Sequence, residues 1–362
     1  MATDFLSILD AFSLEGSVAV VKPLGNGLIN DTFKVETAGP APDYVLQRIN
    51  HRIFTDVPLL QHNVEAVTRH IRRKLEQEGE RDIGRKVLRF VPLKDGSRTF
   101  WFDGASYWRV SEFIPDSFTV DTVSPLYAGH AGKAFGRFEA QLADLPESLG
   151  ETIPDFHNME LRLKQLEEAV QADRAGRMAD PPVQEILAEI RSRSDEMCAA
   201  SRLHRQGKLP KRICHCDTKV NNMLFDREGH VLCVIDLDTV MPSFVFSDFG
   251  DFLRTAANPV PEDSPQFDKV DFRRDVFEAF AGGYLSEASA FLTPLEKEML
   301  PFGVALFPYM QAVRFFADYL NGDTYYKVSY PGHNLVRTRN QLALFACVLR
   351  NWDYMSNFIN TL

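Results

Sequence analysis

The segment from His215 to Asn222 combines a carboxylate, an amine and an amide within a few residues of one another. In phosphoryl transfer, a loop carboxylate accepts or orients the attacking hydroxyl, and a nearby lysine meets the charge of the transferred phosphate. Asp217 and Lys219 are therefore the predicted catalytic residues. We expect His215 to brace the loop rather than to carry a proton.

A predicted hairpin after this loop brings two oxygen ligands together. If its turn is centred on Glu228 and Gly229, Asn222 lies opposite Ile235 and next to Asp236. Opposed side chains in such a ladder lie ~5 Å apart, and amide and carboxylate oxygens bind hard cations. The sequence thus predicts a Mg²⁺ site formed by Asn222 and Asp236. Zinc is not expected at Cys214-His215-Cys216, because a tetrahedral site needs a second ligand pair and only Cys233 is near.

Composition limits the classes of partner. The 362 residues are 45% hydrophobic and 25% charged, which is typical of a globular protein, and the net charge of -10 argues against nucleic acid. The N-terminal residues do not form a signal segment, and the apolar stretch from Phe302 to Val313 is short and interrupted by Pro308. Five sparse cysteines indicate no disulfide framework. We therefore expect a cytoplasmic protein with no membrane span and no obligate protein partner.

Hydrophobic periodicity changes near Ser111, from two to the helical period. Strands are predicted at Val18–Pro23, Thr32–Thr37, Tyr44–Asn50, Val87–Pro92, Thr99–Phe102, Tyr107–Phe113 and Val231–Ile235. Helices are predicted at Leu59–Glu78, Tyr127–Ala143, Glu160–Ala175 and Pro182–Gln206. These patterns predict an α+β protein with a sheet-rich lobe over residues 1–111 and a larger, mainly helical lobe over residues 112–362.

These motifs resemble those of the aminoglycoside phosphotransferase and choline kinase family, whose members are relatives of protein kinases. The spacing His-x-Asp-x-Lys-x-x-Asn is that of a kinase catalytic loop. Within the family, the closer resemblance is to kinases that phosphorylate N-acetylhexosamines at C1. The matching segments are residues 44–47, 49–50, 63–65, 108–110, 151–153, 215–222, 235–239, 241–242, 248–251 and 314–339.

The resemblance implies a two-lobed, protein-kinase-like fold with a small antiparallel-sheet N-terminal lobe that binds ATP. It implies ATP- and Mg²⁺-dependent phosphorylation of the C1 hydroxyl of a small sugar, N-acetylglucosamine or N-acetylgalactosamine. Asp217 would act on that hydroxyl, while Arg314 and Tyr325 would hydrogen-bond to the sugar. The implied ATP-binding residues are Leu24, Gly25, Asn26, Gly27, Asn30, Gln47, Glu112, Phe113 and Ile114.

Two positions depart from the protein-kinase pattern. Asn30 stands where a third glycine would fall, and Gln47 stands where kinases place the strand lysine that pairs with a helix glutamate. Glu65 would then lose its usual partner, with Arg48 as a possible substitute, and Lys219 and Mg²⁺ would carry more of the phosphate charge.

Several alternatives stay open at this point. The same catalytic residues would serve another hydroxyl acceptor, such as homoserine, choline, methylthioribose or an aminoglycoside. A pseudokinase that only binds nucleotide is the non-enzymatic alternative. For Arg314, the alternative to sugar binding is an ion pair with Asp318, four residues further along the chain.

Overall fold

Residues 4–25 and 29–362 are described by a computed structural model, in which the chain forms two units. The first unit comprises residues 1–119, 144–154 and 223–241, and the second comprises residues 120–143, 155–222 and 242–362. Both units are therefore discontinuous in sequence. The single division after residue 111 stays a prediction.

The first unit is built on a five-stranded antiparallel sheet of order β1-β2-β3-β5-β4. The strands are β1 (Val18–Pro23), β2 (Asp31–Thr37), β3 (Tyr44–Ile49), β4 (Phe100–Phe102) and β5 (Tyr107–Glu112). The apolar side chains of Val35, Leu46 and Val110 form its buried face, against which helix α1 (Phe5–Leu9) packs. The predicted antiparallel sheet is confirmed.

The predicted strand at Val87–Pro92 is wrong. Strand β4 pairs with β5 only as far as Arg109, and beyond that point Phe90 forms a single bridge with Ser111. The Val91 N–H donates to the Val110 carbonyl at 2.9 Å. The segment cannot extend into a longer strand at Pro92, because proline has no N–H to donate.

Helix α2 (Val57–Gln77) follows the third strand and matches the predicted Leu59–Glu78 within two residues. It begins where it does because the Asp56 side chain accepts a hydrogen bond from the Leu59 N–H and because Pro58 occupies the first turn. Its buried Asn63 side chain donates to the carbonyls of Gly150 and Val240, which ties two later segments of the unit to this helix.

The first unit also contains the predicted hairpin, formed by β7 (Met223–Phe225) and β8 (Val231–Val234). Met223 pairs with Val234 and Leu224 with Cys233, which confirms the predicted register next to Asn222. A bulge between Leu224 and Phe225 then shifts the register, so that Phe225 pairs with Val231. The bulge accommodates a turn in which Gly229 has a positive φ of 84°.

The second unit is mainly helical, which confirms the predicted α+β class. Its helices are α3 (Pro125–Leu142), α4 (Met159–Ala172), α5 (Pro181–Met197), α6 (Ala199–Arg205), α7 (Val245–Ala256), α8 (Arg274–Ala288), α9 (Pro294–Glu298), α10 (Leu300–Leu320), α11 (His333–Arg350) and α12 (Trp352–Thr361). The short strand β6 (Arg212–Cys214) precedes the loop at residues 215–222, and β9 (Met241–Ser243) precedes α7. The prediction of a single helix at Pro182–Gln206 is wrong, because the helix is interrupted at Cys198. The Cys198 N–H donates to the Asp195 carbonyl, three residues earlier in the chain.

Two glycine contacts set the spacing of the helices that hold the catalytic loop. A Cβ at Gly136 of α3 would lie 2.4 Å from the Tyr284 carbonyl of α8. A Cβ at Gly250 of α7 would lie 2.2 Å from the Gly303 carbonyl of α10. Any side chain at these positions would separate the helices, so glycine permits their close packing.

Pro308 lies inside helix α10 and does not interrupt it, contrary to the sequence-based expectation. The helix is long and apolar enough to cross a membrane by length and composition alone, yet 89% of its most apolar window is buried in the protein. Such burial is typical of a core helix in a folded protein, so α10 is weak evidence for a membrane span.

Candidate active site

Asp217 lies in the loop after β6, where Lys219 and Asn222 surround its carboxylate. The Lys219 Nζ is 2.7 Å from Asp217 Oδ1, and the Asn222 Nδ2 donates to the Asp217 carbonyl at 2.8 Å and to Oδ2 at 3.2 Å. Burial alone would raise the pKa of Asp217, but the Lys219 charge and these hydrogen bonds lower it overall. The carboxylate is therefore ionised at neutral pH and able to accept a proton or a hydrogen bond.

Helix α7 holds the backbone of this loop through two carboxylates. The Asp248 oxygens accept from the N–H groups of His215 at 2.6 Å and Cys216 at 2.7 Å. Asp251, one helical turn later, accepts from the Thr218 N–H at 3.2 Å. Cys216 has a positive φ of 64°, a conformation that a non-glycine residue adopts only when its surroundings impose it.

His215 is fully buried and contacts the rings of Phe135 and Phe138. Its Nδ1 is 3.3 Å from the Asp217 N–H. These contacts support the predicted bracing role. Sequence reasoning assigned no role to Asp248 or Asp251 and predicted no helix there; in helix α7 their spacing of three residues places both carboxylates on one face.

A buried polar network explains the glutamine at the position of the strand lysine in the first unit. Gln47 Oε1 accepts from the Arg109 Nε at 2.9 Å, and Arg109 Nη2 lies 2.6 Å from Asp238 Oδ1. The side chains of this ion pair are each only 3% exposed. Asn30 Nδ2 donates to the other Asp238 oxygen at 2.6 Å. Arg109, which the sequence analysis did not single out, thus supplies the positive charge in this part of the sheet.

Glu65 does not pair with Arg48 as the substitute partner. Arg48 forms an ion pair with Asp31, while Glu65 Oε1 accepts hydrogen bonds from the Thr99 hydroxyl and from the Gln61 Nε2. The alternative suggested for Arg48 is therefore wrong. The signal that could have located the cation is Arg109 itself, a charged residue between the apolar Trp108 and Val110 in a strand whose four central residues are buried.

The predicted ATP-binding positions fall in two parts of the first unit. Leu24 and Gly25 follow β1, and Gly25 has a positive φ of 69°. Asn26 and Gly27 lie outside the described residues. At the end of β5, the Glu112 N–H donates to the Arg89 carbonyl and the Phe113 N–H to the Asp43 carbonyl, each at 2.9 Å. The N–H of the buried Ile114 donates to no residue in the described part of the chain.

The two predicted metal ligands flank the hairpin. The Asn222 Nδ2 donates to Asp217, which leaves its carbonyl oxygen Oδ1 as the side-chain atom able to bind a cation. Asp236 is the second residue after β8 and has a positive φ of 57°. Asp and Asn tolerate this conformation better than most residues, but it still requires support from the surrounding structure. An amide oxygen and a carboxylate are the donor types that Mg²⁺ prefers, so the two residues fit this ion.

Arg314 lies on α10 beside a cavity of about 320 Å³ in the second unit, whose wall includes Arg162, Tyr325 and Tyr326. The guanidinium of Arg314 donates to Gln311 at 2.9 Å and lies 5.7 Å from the centre of the Tyr326 ring. Tyr325 is 70% exposed. The Arg162 Nε and the Tyr326 hydroxyl are buried and have no hydrogen-bond partner among the described residues, as expected of groups that await a ligand or water.

The alternative for Arg314, an ion pair with Asp318, is not found in the described residues. The Asp318 carboxylate instead accepts from the N–H groups of residues 324–326 at 2.8–3.0 Å and from the Asn334 amide at 2.9 Å. Its charge therefore holds the loop after α10 and is not available to neutralise Arg314.

The pKa of the buried His157 depends on charges both in this cavity and in the catalytic loop. Burial, followed by the charges of Arg314 and Arg162, lowers the pKa of His157 to about 3, while the Asp217 charge acts in the opposite direction. The imidazole is therefore neutral at physiological pH. Asp217 and the two arginines therefore all contribute to the electrostatic environment of this ring.

Comparison with known proteins gives consistent similarities. A model of the phosphotransferase enzyme family matches residues 20–286. An aminoglycoside phosphotransferase from Alicyclobacillus acidocaldarius is 14% identical, with a TM-score of 0.61 over 98% of each chain. A spectinomycin phosphotransferase solved with ADP and spectinomycin is 12% identical, with a TM-score of 0.57 over 97% of this chain and 99% of that one. Choline kinase from Cryptosporidium parvum is 14% identical, with a TM-score of 0.57 over 98% of this chain and 99% of that one. These structures confirm the predicted kinase-like fold.

Proposed function

Because the chain belongs to the phosphotransferase enzyme family, we propose that it transfers the γ-phosphate of ATP to the C1 hydroxyl of an N-acetylhexosamine. The observation that carries the choice of acceptor is the cavity beside Arg314, where a second guanidinium, that of Arg162, lies without a carboxylate partner at its Nε. The assignment to C1 rests on the sequence resemblance.

The charge of this cavity disfavours cationic acceptors. Arg162, Arg174 and Arg314 line it. Of the two carboxylates in its wall, that of Asp318 is held by backbone N–H groups, and that of Glu168 lies 3.9 Å from the ammonium of Lys164. The proximity of Arg314 contributes to a lowered pKa of Arg162, after the larger effect of burial. A ligand oxygen would relieve this repulsion, whereas an ammonium group would add to it. A neutral sugar with a carbonyl oxygen therefore suits the cavity better than choline or an aminoglycoside.

In the proposed reaction, Asp217 accepts a hydrogen bond from the C1 hydroxyl and orients its oxygen toward the γ-phosphorus. As the new O–P bond forms and the bond to ADP breaks, the hydroxyl proton passes to Asp217. Lys219, whose pKa is raised by the nearby carboxylates of Asp217 and Asp251 despite its burial, remains charged and meets the phosphate.

For the nucleotide, we assign the Ile114 N–H as donor to the base and the backbone around Leu24 and Gly25 to the phosphates. Asn222 and Asp236 would hold Mg²⁺, which when bound shields the negative charge of the phosphates. Asn30 and Gln47 would not contact the nucleotide directly. Their side chains hydrogen-bond to Asp238 and Arg109, respectively, and so hold this buried ion pair in place.

The acceptor is tested by measuring ADP release with a panel of compounds at fixed ATP and Mg²⁺. We expect turnover with N-acetylglucosamine or N-acetylgalactosamine and none with choline, ethanolamine or spectinomycin. Phosphorylation of a cationic acceptor alone would contradict the sugar assignment and keep the kinase assignment. ATP binding without turnover of any acceptor in a broad panel would favour the pseudokinase.

Arg314→Leu is expected to raise the KM for the sugar at least ~10-fold, because a hydrogen bond from a charged donor contributes ~1.5–3 kcal/mol. The Tm and the affinity for ATP should change little, since Arg314 has no ion-pair partner in the described residues. Steady-state kinetics, calorimetry and nucleotide titration measure the three quantities. Arg193→Leu, at an exposed site on α5, is the matched control. A large fall in Tm with an unchanged KM would show that Arg314 is structural.

A further inference from the structure

A fully buried glutamate lies behind the catalytic loop and takes no part in the chemistry proposed above. Glu139 of helix α3 accepts a hydrogen bond at Oε2 from the Tyr284 hydroxyl of α8. A Glu139 carboxyl oxygen, an Asp248 carboxyl oxygen and the Cys214 Sγ lie within 4.8 Å of one another. Two carboxyl groups are therefore in close proximity inside the helical unit, out of contact with solvent.

The hydrogen-bond pattern shows which carboxyl group can carry a proton. Both Asp248 oxygens already accept backbone N–H groups, from Cys216 and from His215, and this arrangement favours an ionised Asp248. The Glu139 Oε1 is buried and accepts from no described residue. An O–H at Oε1 would complete the pattern, since it could donate to Asp248 while Oε2 continues to accept from Tyr284.

The electrostatic surroundings favour the same assignment. Burial raises the pKa of Glu139 well above its ordinary value, and the Asp248 charge and the hydrogen bond to Asp248 raise it further. Burial also raises the pKa of Asp248, but His215 and the backbone N–H groups of His215 and Cys216 oppose that shift. Two unpaired anions at this separation in a low-dielectric interior would repel strongly. A cation is less suitable than a proton, because burial also raises the pKa of the Cys214 thiol well above its ordinary value, so Cys214 is no thiolate ligand.

We propose that Glu139 is a positioning residue, which stays protonated at neutral pH and donates a hydrogen bond to Asp248. Asp248 in turn holds the N–H groups of the two residues that precede Asp217, so the proton of Glu139 fixes the catalytic loop from behind. The kinetic part of the proposal rests on the proposed function. The protonation state does not depend on it.

The titratable groups near Glu139 lie on several elements of the same unit, and His215 of the catalytic loop packs against Phe135 and Phe138 of α3. The other titratable groups are Asp248 on α7, Tyr284 on α8, Cys214 on β6 and, further away, Glu296 on α9, which is paired with Arg212. Glu296 is stabilised as a carboxylate by Arg212 and by the Thr293 N–H, so it does not compete for the proton.

The variant Glu139→Gln distinguishes a protonated Glu139 from an ionised one. The amide NH₂ can donate to Asp248 and the amide oxygen can accept from Tyr284, as the carboxylic acid does. Since the pKa of Glu139 is raised in the folded state, the parent protein loses stability as pH rises above the ordinary glutamate value, and the variant does not. The Tm of Glu139→Gln relative to the parent should therefore increase between about pH 5 and about pH 8. Glu298→Gln, at an exposed site, should show no such trend.

The kinetic readout uses a pair of variants. Glu139→Gln should keep a kcat close to that of the parent, whereas Glu139→Leu, which cannot donate to Asp248, should lose kcat by up to ~10²-fold through misplacement of Asp217. The affinity for ATP should be unchanged in both. A rescue by glutamine but not by leucine is not expected of a residue that only fills space.

Three results would overturn the proposal. They are a Glu139→Gln variant destabilised equally at both pH values, a Glu139→Leu variant as active as the parent, and a stoichiometric metal ion lost on substitution of Glu139. If the parent phosphorylates no acceptor, the proposed function fails, and the pH dependence of Tm still decides the protonation state of Glu139.

Discussion

Replacement of Asp217 by asparagine is expected to lower kcat by ~10²–10⁴-fold or more, while the affinity for ATP stays close to that of the parent. Asparagine has nearly the same shape, and its amide can still hydrogen-bond to Asn222. It cannot take the proton of the attacking hydroxyl, and it leaves Lys219 without the carboxylate that lies 2.7 Å away. Initial rates of ADP release and nucleotide titration measure the two effects.

Asp195→Asn is the matched control, because Asp195 is an exposed carboxylate in the same unit that forms an ion pair with Arg202. This variant should keep the parent rate. Turnover of Asp217→Asn within a few-fold of the parent would exclude Asp217 as the proton acceptor. A loss of ATP affinity as large as the loss of rate would instead place Asp217 at the nucleotide.

The catalytic loop and the hairpin could be predicted because their interactions are local in sequence. Asp217, Lys219 and Asn222 contact one another across at most five residues. The register of Met223 with Val234 follows from the position of the turn. Such short-range geometry depends on residue spacing and turn chemistry, both of which can be taken from the sequence.

The support of the loop could not be predicted in the same way. Asp248 and the His215 N–H are 33 residues apart, and their contact depends on how α7 packs against α10 through Gly250 and Gly303. The Arg109–Asp238 pair joins a central strand to a segment more than a hundred residues later. Periodicity identifies which side chains are buried, but not which distant partner neutralises a buried charge.

The errors in secondary structure have similar causes. Pro308 is a helix breaker by local propensity, yet burial of α10 among apolar neighbours outweighs the lost hydrogen bond. Val87–Pro92 has the alternation of a strand, but it meets β5 only beyond the part that pairs with β4. In both cases tertiary packing decides the outcome.

Substitution of Asp236 and substitution of Asp238, two residues apart, are expected to have different effects on metal binding and on stability. Asp236→Ala is expected to abolish detectable turnover and to weaken Mg²⁺-dependent nucleotide binding, because it removes one of the two proposed ligands. Asp238→Ala is expected to destabilise the fold by ~3–5 kcal/mol, because it leaves the buried Arg109 guanidinium without a counter-charge. Asn30 would also lose the acceptor of its 2.6 Å hydrogen bond. Calorimetric Tm values and titration of nucleotide with and without Mg²⁺ separate the two roles.

The double variant Arg109→Met/Asp238→Leu tests whether the Asp238 effect comes from an uncompensated charge. It should be more stable than Asp238→Ala alone, since apolar groups of similar volume can replace a buried ion pair at little cost. If Asp238→Ala keeps the parent Tm and loses Mg²⁺-dependent binding, Asp238 rather than Asp236 is the metal ligand. The bulge after Leu224 does not move the predicted ligand from Asp236 to Asp238. Between the bulge and Asn222, the pairs Met223–Val234 and Leu224–Cys233 keep the predicted register. The Asp238 carboxylate moreover lies 2.6 Å from the Arg109 guanidinium and accepts a hydrogen bond from Asn30, so a structural role in this buried pair accounts for it without a metal ion.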